Sequence, residues 1–287
     1  MNLTDINTIK RLQKKYSFAF KKGLGQNFLC DQAVIDNIVA SSGADDRTGV
    51  LEIGPGIGVL TKSLCAAAKK VVAVEIDTNL LDILKETLAD CQNLSIINAD
   101  VLKLDLSELF KTHFSDCERI CIAANLPYYI TTPIITSILE LELPVDSMVF
   151  MMQKEVAKRI CASPGKKDYG SLTILCNYYS ETQIVCEVPA RVFIPAPKVD
   201  SAVVLFKLYK EKPIKPQSQD AFFKTVHAAF GQRRKTLANA ISNSGMFSVS
   251  KNKIIDILSE MGINENVRAE QLSLEQMSKL SDIITKN

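Results

Sequence analysis

Five short apolar runs, mostly rich in β-branched residues, punctuate the first half of the chain: GVLEI (49–53), VVAVEI (71–76), LSII (94–97), ICIAA (120–124) and SMVFMM (147–152). Helical patterns separate them. DQAVIDNIVAS (31–41) places Asp31 as an N-cap ahead of Val34, Ile35, Ile38 and Val39 on one face, and TNLLDILKETLAD (78–90) reads the same way. Strands joined through helices must run parallel, so the alternation predicts a parallel sheet with helices on both faces. LTILCNYY (172–179), TQIVCEV (182–188) and AVVLFKLY (202–209) read as further strands. The last two flank a Pro-rich connection, which predicts antiparallel strands at the end of the sheet. KEKPIKPQSQ (210–219) is polar, has two prolines and reads as a linker. Beyond it, DAFFKTVHAAF, RRKTLANAIS, KNKIIDILSEMG and SLEQMSKLSDIIT predict short helices. The layout is an α/β domain to residue 210 and a small all-α domain over 215–287.

At 287 residues, 47% hydrophobic and 23% charged, the chain has the composition of a globular protein. No apolar run reaches the roughly 18 residues of a membrane span, and residues 1–20 lack a signal-peptide core. The expectation is a cytoplasmic protein without membrane contact. Eight cysteines form no C-x-x-C pair and only two histidines accompany them, so zinc spacing is absent. Reduced, packed thiols are expected. The net charge of +2 hides three basic stretches. Lys10, Arg11, Lys14, Lys15, Lys21 and Lys22 face one acid, Asp5, within residues 1–30. Lys154, Lys158, Arg159, Lys166 and Lys167 oppose Glu155 and Asp168, and Arg233, Arg234 and Lys235 form the third. Such clustering on a near-neutral chain points to a polyanionic partner.

The first strand runs into LEIGPGIGVLT (51–61), where Gly54, Gly56 and Gly58 are spaced G-x-G-x-G. Glycines between a strand and a helix let the backbone approach a ligand at the helix N-terminus. Dinucleotide sites want G-x-G-x-x-G, so the spacing argues against NAD or FAD. Glu75 ends the second strand, where an acid accepts ribose hydroxyls. Asp100 follows the third, where a carboxylate accepts from an exocyclic adenine amine. Asp77 and Asp105, nearby, read as cap or turn residues. Loop, ribose acid and adenine acid at successive strand ends specify an adenosine-containing ligand. The next strand ends in ICIAANLPYYI (120–130), in which an amide, a proline and two phenols replace ordinary punctuation. That composition suits a surface that holds a flat polar ring.

In this order, G-x-G-x-G, Glu75, Asp100 and NLPY resemble the S-adenosylmethionine-dependent N6-adenine methyltransferases. KKGLGQNFL (21–29), LEIGPGIGVLT, NLPYYI, VFIPAPKVDSAVV (192–204) and FGQRRKTLANAI (230–241) narrow the resemblance to the small-subunit (16S-type) ribosomal RNA adenine N6,N6-dimethyltransferases. The likeness spans roughly residues 20–285, with no departure at a motif position. It implies a Rossmann-like seven-stranded methyltransferase sheet with helices on both faces plus a small all-α C-terminal domain. The domains would be a basic extension (1–20), a methyltransferase domain (21–210) and a helical domain (215–287). The resemblance assigns no role to the extension.

The resemblance also implies S-adenosyl-L-methionine as cofactor, bound by Asn27, Leu29, Gly54, Gly56, Glu75, Ile76, Asp100, Val101 and Asn125. Asn27 and Leu29 close over it, and Asn125 lies beside the sulfonium. The substrate would be small-subunit ribosomal RNA within an immature 30S-type particle, with two adjacent adenosines near its 3′ end dimethylated by a monomeric enzyme. Catalysis falls to Asn125, Leu126, Pro127, Tyr128 and Phe193. The Asn125 side-chain oxygen and a main-chain carbonyl at Leu126 or Pro127 accept the amine hydrogens. Tyr128 stacks on the base, Phe193 stacks on its other face, and Tyr129 packs inward. Two alternatives stand beside this: a large-subunit rRNA adenine methylase of the antibiotic-resistance type, and an assembly factor acting mainly by binding.

Overall fold

The structure, a computed structural model, describes residues 1–286. Asn287, at the end of the expected helical domain, and the side chain of Lys22, from the basic N-terminal stretch, lie outside the described residues. The chain divides into two compact units: Met1–Ala157 with Gln183–Leu208, and Lys158–Thr182 with the residues from Tyr209 onward.

The first unit opens with α1 (Ile6–Tyr16), β1 (Phe28–Leu29) and α2 (Gln32–Ser42). The alternating part follows as β2 (Thr48–Ile53), α3 (Val59–Ala67), β3 (Lys70–Glu75), α4 (Leu81–Thr87), β4 (Leu94–Asn98), α5 (Leu106–Phe114), β5 (Arg119–Asn125), α6 (Thr131–Glu140) and β6 (Ser147–Gln153). After α7 (Lys154–Ile160) and α8 (Ser171–Tyr179) come β7 (Ser180–Val188), β8 (Phe193–Ile194) and β9 (Ser201–Leu208). Seven strands form one sheet in the order β4-β3-β2-β5-β6-β9-β7. The first five are mutually parallel, and β9 runs antiparallel to β6. Val50, Leu51, Val71, Val72, Ala73, Ile122, Ala123 and Phe150 are all 0% exposed. Covered on both faces, these strands carry continuous apolar runs rather than alternating ones. Asp31 caps α2 as expected, accepting the Ala33 and Val34 N–H groups at 2.9 and 3.3 Å.

Two elements differ from the sequence reading. LTILCNYY is helix α8, not a strand. Six of its nine residues are buried, so no single apolar face marks it, and a fully buried run reads alike for strand and helix. The Thr173 hydroxyl fixes its start by accepting the Gly170 N–H at 3.0 Å. The second difference is α1, within the basic stretch. Asp5 caps it, accepting the Asn7 and Thr8 N–H groups, while Ile9 and Leu12 sink into the same core as Val34, Ile35 and Val71. Lys10, Arg11 and Lys14 stay exposed.

In the second unit, α8 joins α9 (Gln219–Phe230), α10 (Leu237–Ser242), α11 (Lys251–Glu260) and α12 (Leu274–Lys286). Phe222, Val226, Leu237, Ile254, Leu258, Met277 and Leu280 are buried among them. Among the described residues no helix is long and apolar enough to cross a membrane, and all eight cysteines are free thiols.

Candidate active site

From β2 the chain steps outward through β3 to β4, and from β5 it steps the other way to β6. The connections diverge between β2 and β5, and open α/β sheets bind ligands in the crevice at the carboxyl ends of such a pair. A cavity of about 250 Å³ lies there. Its walls come from residues 24–29, the turn after β2, the ends of β3 and β4, and residues 125–130. Asn27, Leu29, Gly54, Gly56, Glu75, Ile76, Asp100, Val101, Asn125, Leu126, Pro127 and Tyr128 all line it.

The turn after β2 is tied to the end of β3. Gly56 has φ +62°, and a Cβ there would meet Phe28 Cε1 at 3.0 Å, so both its conformation and its neighbour demand glycine. Its N–H donates to Glu75 Oε2 at 3.2 Å, and the Asp77 N–H donates to Oε1 at 2.7 Å. Glu75 is 4% exposed. Burial raises its pKa; the two N–H donors pull the other way without cancelling it. Glu52 also lines the cavity, is 1% exposed, and its Oε2 has no hydrogen-bond partner. Burial, reinforced by the charge of Glu75, pushes its pKa up to about 8. Asp100 caps the turn Val101–Lys103 through the Leu102 N–H at 3.1 Å, and its other oxygen lies 3.7 Å from Lys103 Nζ. Asp105 is the cap expected of it, accepting the Glu108 N–H at 3.0 Å. Asp77 is more than a cap: besides the Asn79 N–H it takes Lys21 Nζ at 2.7 Å and Gln26 Nε2 at 2.8 Å.

The corner after β5 is held from several sides. Asn125 Nδ2 donates to the Asn27 carbonyl at 3.0 Å, leaving Oδ1 as the acceptor end of the amide. The Leu126 N–H donates to the Met151 carbonyl at 3.0 Å, extending the β5–β6 ladder. The Pro127 carbonyl accepts both the Ile130 N–H at 3.2 Å and the Thr131 hydroxyl at 3.0 Å. A carbonyl has two lone pairs, and these are both in use. Of the two carbonyls expected to accept, Leu126 is therefore the better placed. The Tyr128 hydroxyl shares a 2.7 Å hydrogen bond with Ser201 Oγ, and burial raises its pKa.

Two aromatic residues depart from expectation. Tyr129 does not pack inward: it is 56% exposed and lies at the rim. Gly25 runs close by: a Cβ there would stand in ordinary contact with Pro127 Cβ at 3.5 Å and Tyr129 Cδ1 at 3.6 Å. Phe193 is not among the cavity-lining residues. It pairs with Leu29 through β8 and β1, is 3% exposed, and belongs to the hydrophobic core. Stacking on a base would require that ring to leave the core. The structure adds Glu52, Gln26 and Leu102 to the cavity wall, and ties Lys21 and Asp77, which do not line it, to Gln26. Glu52 had a signal, a charge inside an otherwise apolar strand; the Asp77 contacts span more than 50 positions and had none.

Two buried carboxyls, a glycine turn, the capping residue Asp100 and the apolar side chains of Ile76, Val101 and Leu102 fit an adenosine-containing group. The unpartnered Glu52 oxygen suits a donor or cation on the same ligand. The family model for ribosomal RNA adenine dimethylase matches residues 17–286. The chain belongs to that family. It is accordingly a methyltransferase of adenine in ribosomal RNA. A protein of Clostridioides difficile called ribosomal RNA small subunit methyltransferase A is 46% identical over 98% of this chain and 96% of its own length. One of the same description from Staphylococcus carnosus is 47% identical over 100% of this chain and 98% of its own. Among solved structures, a dimethyladenosine transferase from Plasmodium falciparum superimposes with TM-score 0.74 at 25% identity, covering 88% of this chain and 95% of that one. The 23S rRNA methyltransferase ErmE gives TM-score 0.69 at 25% identity, covering 90% and 100%.

Proposed function

We propose that this enzyme uses S-adenosylmethionine to dimethylate the N6 amines of two adjacent adenosines near the 3′ end of small-subunit ribosomal RNA, on an immature 30S-type particle. The observation that carries the reading is the Asn125–Tyr128 corner sharing one cavity with the glycine turn, Glu75 and Asp100. The cofactor supplies an activated methyl group on a positively charged sulfur. The protein's part is to present the amine. An adenine amine is a poor nucleophile because its lone pair is delocalised into the ring. Asn125 Oδ1 and the Leu126 carbonyl accept its two hydrogens and turn the lone pair out of the ring plane. Tyr128, steadied by Ser201, offers a stacking face worth about 1–3 kcal/mol. The methylated nitrogen is acidic and sheds its proton without a strong base, so catalysis is by orientation and electrostatics. In the second round one hydrogen remains, and one acceptor suffices.

The 46% and 47% identities to small-subunit enzymes, against 25% to the 23S enzyme, support the small-subunit target over the large-subunit alternative. The same reading has the enzyme act as a monomer in the cytoplasm, with exposed lysines and arginines gripping phosphates beside an unpaired or flipped target base. The test is mass spectrometry of nucleosides from unmethylated small-subunit particles treated with enzyme and cofactor. N6,N6-Dimethyladenosine is expected, with Asn125→Ala reducing it at least 100-fold, on the scale of removing one preorganised polar group. No dimethyladenosine from the wild type would reject the proposal. Full rescue of subunit assembly by Asn125→Ala would assign the cellular role to binding.

A further inference from the structure

Asp77 sits just beyond β3, 3% exposed, and gathers two side chains from the segment ahead of β1. Gln26 closes a ring with Lys21: its Oε1 accepts the Lys21 N–H at 2.8 Å while its Nε2 donates to Asp77. Burial works against a charge on Asp77, but Lys21, Gln26 and the Asn79 N–H outweigh it and hold the carboxyl below its ordinary value. The segment so anchored crosses the corner after β5. A side chain at Gly25 would touch Pro127 and Tyr129, Asn27 Nδ2 donates to the Gly25 carbonyl at 2.9 Å, and the Asn27 carbonyl receives Asn125 Nδ2. Were the Asn125 amide reversed, its oxygen would face another carbonyl oxygen, an unfavourable contact. The position of residues 25–27 therefore decides which end of the Asn125 amide is left to accept.

We infer that Asp77 is a positioning residue for methyl transfer: through Lys21 and Gln26 it pins residues 21–27 over the cavity, and the Asn27 carbonyl then fixes the Asn125 amide with its oxygen as the acceptor. The inference rests on the proposed role of Asn125 and adds a coupling between strap and amide. It distinguishes two jobs for one segment. Closing over the cofactor affects affinity, whereas setting the amide affects turnover once cofactor is bound.

The test uses the full-length enzyme with S-adenosylhomocysteine as binding probe and unmethylated small-subunit particles as substrate. Lys21→Met and Asp77→Asn each remove the ion pair; Asp77→Asn keeps an oxygen for the Asn79 N–H. Melting temperature, probe affinity by calorimetry, kcat at saturating cofactor, and hydrogen exchange of residues 21–29 are measured for each. Both variants are expected to lower kcat about tenfold, the scale of one charge-assisted hydrogen bond in a positioned site. Exchange of residues 21–29 should rise while β3 stays protected, the melting temperature should fall by no more than a few degrees so that the protein is fully folded at the assay temperature, and Lys21→Arg should restore kcat. Unchanged kcat in both variants overturns the inference, including when probe affinity falls, because the strap would then only bind. A kcat loss matched by loss of folded protein overturns it too. If the wild type neither binds the probe nor methylates, the functional reading falls first and the inference with it; a wild type that does both, with variants like it, sinks the inference alone.

Discussion

Glu52 is a carboxyl in an environment that disfavours its charge. It sits in a parallel strand with 1% exposure, an unpartnered Oε2 and Glu75 as a like-charged neighbour. Its folded pKa of about 8 lies above the ordinary 4.5, so the folded protein holds the proton more tightly than the unfolded chain. Stability from this group is therefore complete below about pH 4.5, falls as pH rises, and levels off above about pH 8. At about 1.4 kcal/mol per tenfold difference in proton affinity, the total is a few kcal/mol. Urea denaturation of the ligand-free protein at acid, neutral and mildly alkaline pH should show wild-type stability declining across that window. Glu52→Gln should flatten most of the decline and be the more stable protein at the alkaline end. Glu75, also raised by burial, adds to the slope in the same sense, while carboxylates held low, such as Asp45 and Asp116, oppose it at the acid end. Identical slopes in wild type and variant would refute the assignment. Such residues show how far the site is legible in one dimension. Glu75 and Asp100 stand at strand ends, where position alone suggests a ligand. Asp77 stands beside Glu75 and reads as a cap, because its contacts with Lys21 and Gln26 form only when distant segments meet.

At the scale of elements, the glycine turn, the strap and the corner interlock. Gly56 N–H engages Glu75, and the space where its Cβ would stand is held by Phe28, whose ring packs on Phe20 at 5.3 Å. Gly56→Ala would strain a positive φ and push Phe28, and with it β1, away from the cavity. The expected result is a loss of S-adenosylhomocysteine affinity of at least tenfold, read by calorimetry, with a smaller fall in melting temperature. Unaltered affinity would show that the turn tolerates a side chain and is not a close-approach surface. The parallel half of the sheet is legible because burial on both faces forces continuous apolar runs between amphipathic helices. The same rule hides α8, whose buried, largely apolar run looks like another strand. Helix α1 is obscured instead by its charged residues, which outnumber the Ile9 and Leu12 that seat it. The outward place of Tyr129 is hidden because adjacent phenols in one turn do not say which of them faces solvent.

For the whole molecule, charge and chemistry divide between the two units. The cavity and every side chain assigned to methyl transfer or cofactor contact belong to the first unit, Phe193 in its core included. Two of the three basic stretches reach into the second, where Arg233 Nη2 donates to the Lys167 carbonyl at 2.5 Å and the Tyr169 carbonyl at 3.4 Å. That contact spends one guanidinium on holding the 166–169 loop beside the end of α9. Lys166, Lys167, Arg234 and Lys235 are left exposed on adjoining segments. A concentration of like charge is costly to maintain unless an anion meets it, and ribosomal RNA is the polyanion of this family's substrates. The double variant Arg234→Ala, Lys235→Ala should therefore weaken binding to small-subunit particles. It should also lower the slope of log affinity against log salt by about 2, near one for each phosphate no longer neutralised. Affinity for S-adenosylhomocysteine and turnover at saturating particle concentration should not change, because no group lining the cavity is touched. Particle affinity measured across a salt series decides the matter. An unchanged slope would make these residues a solvated surface, and a fall in cofactor affinity would show that the second unit acts on the site rather than on the RNA.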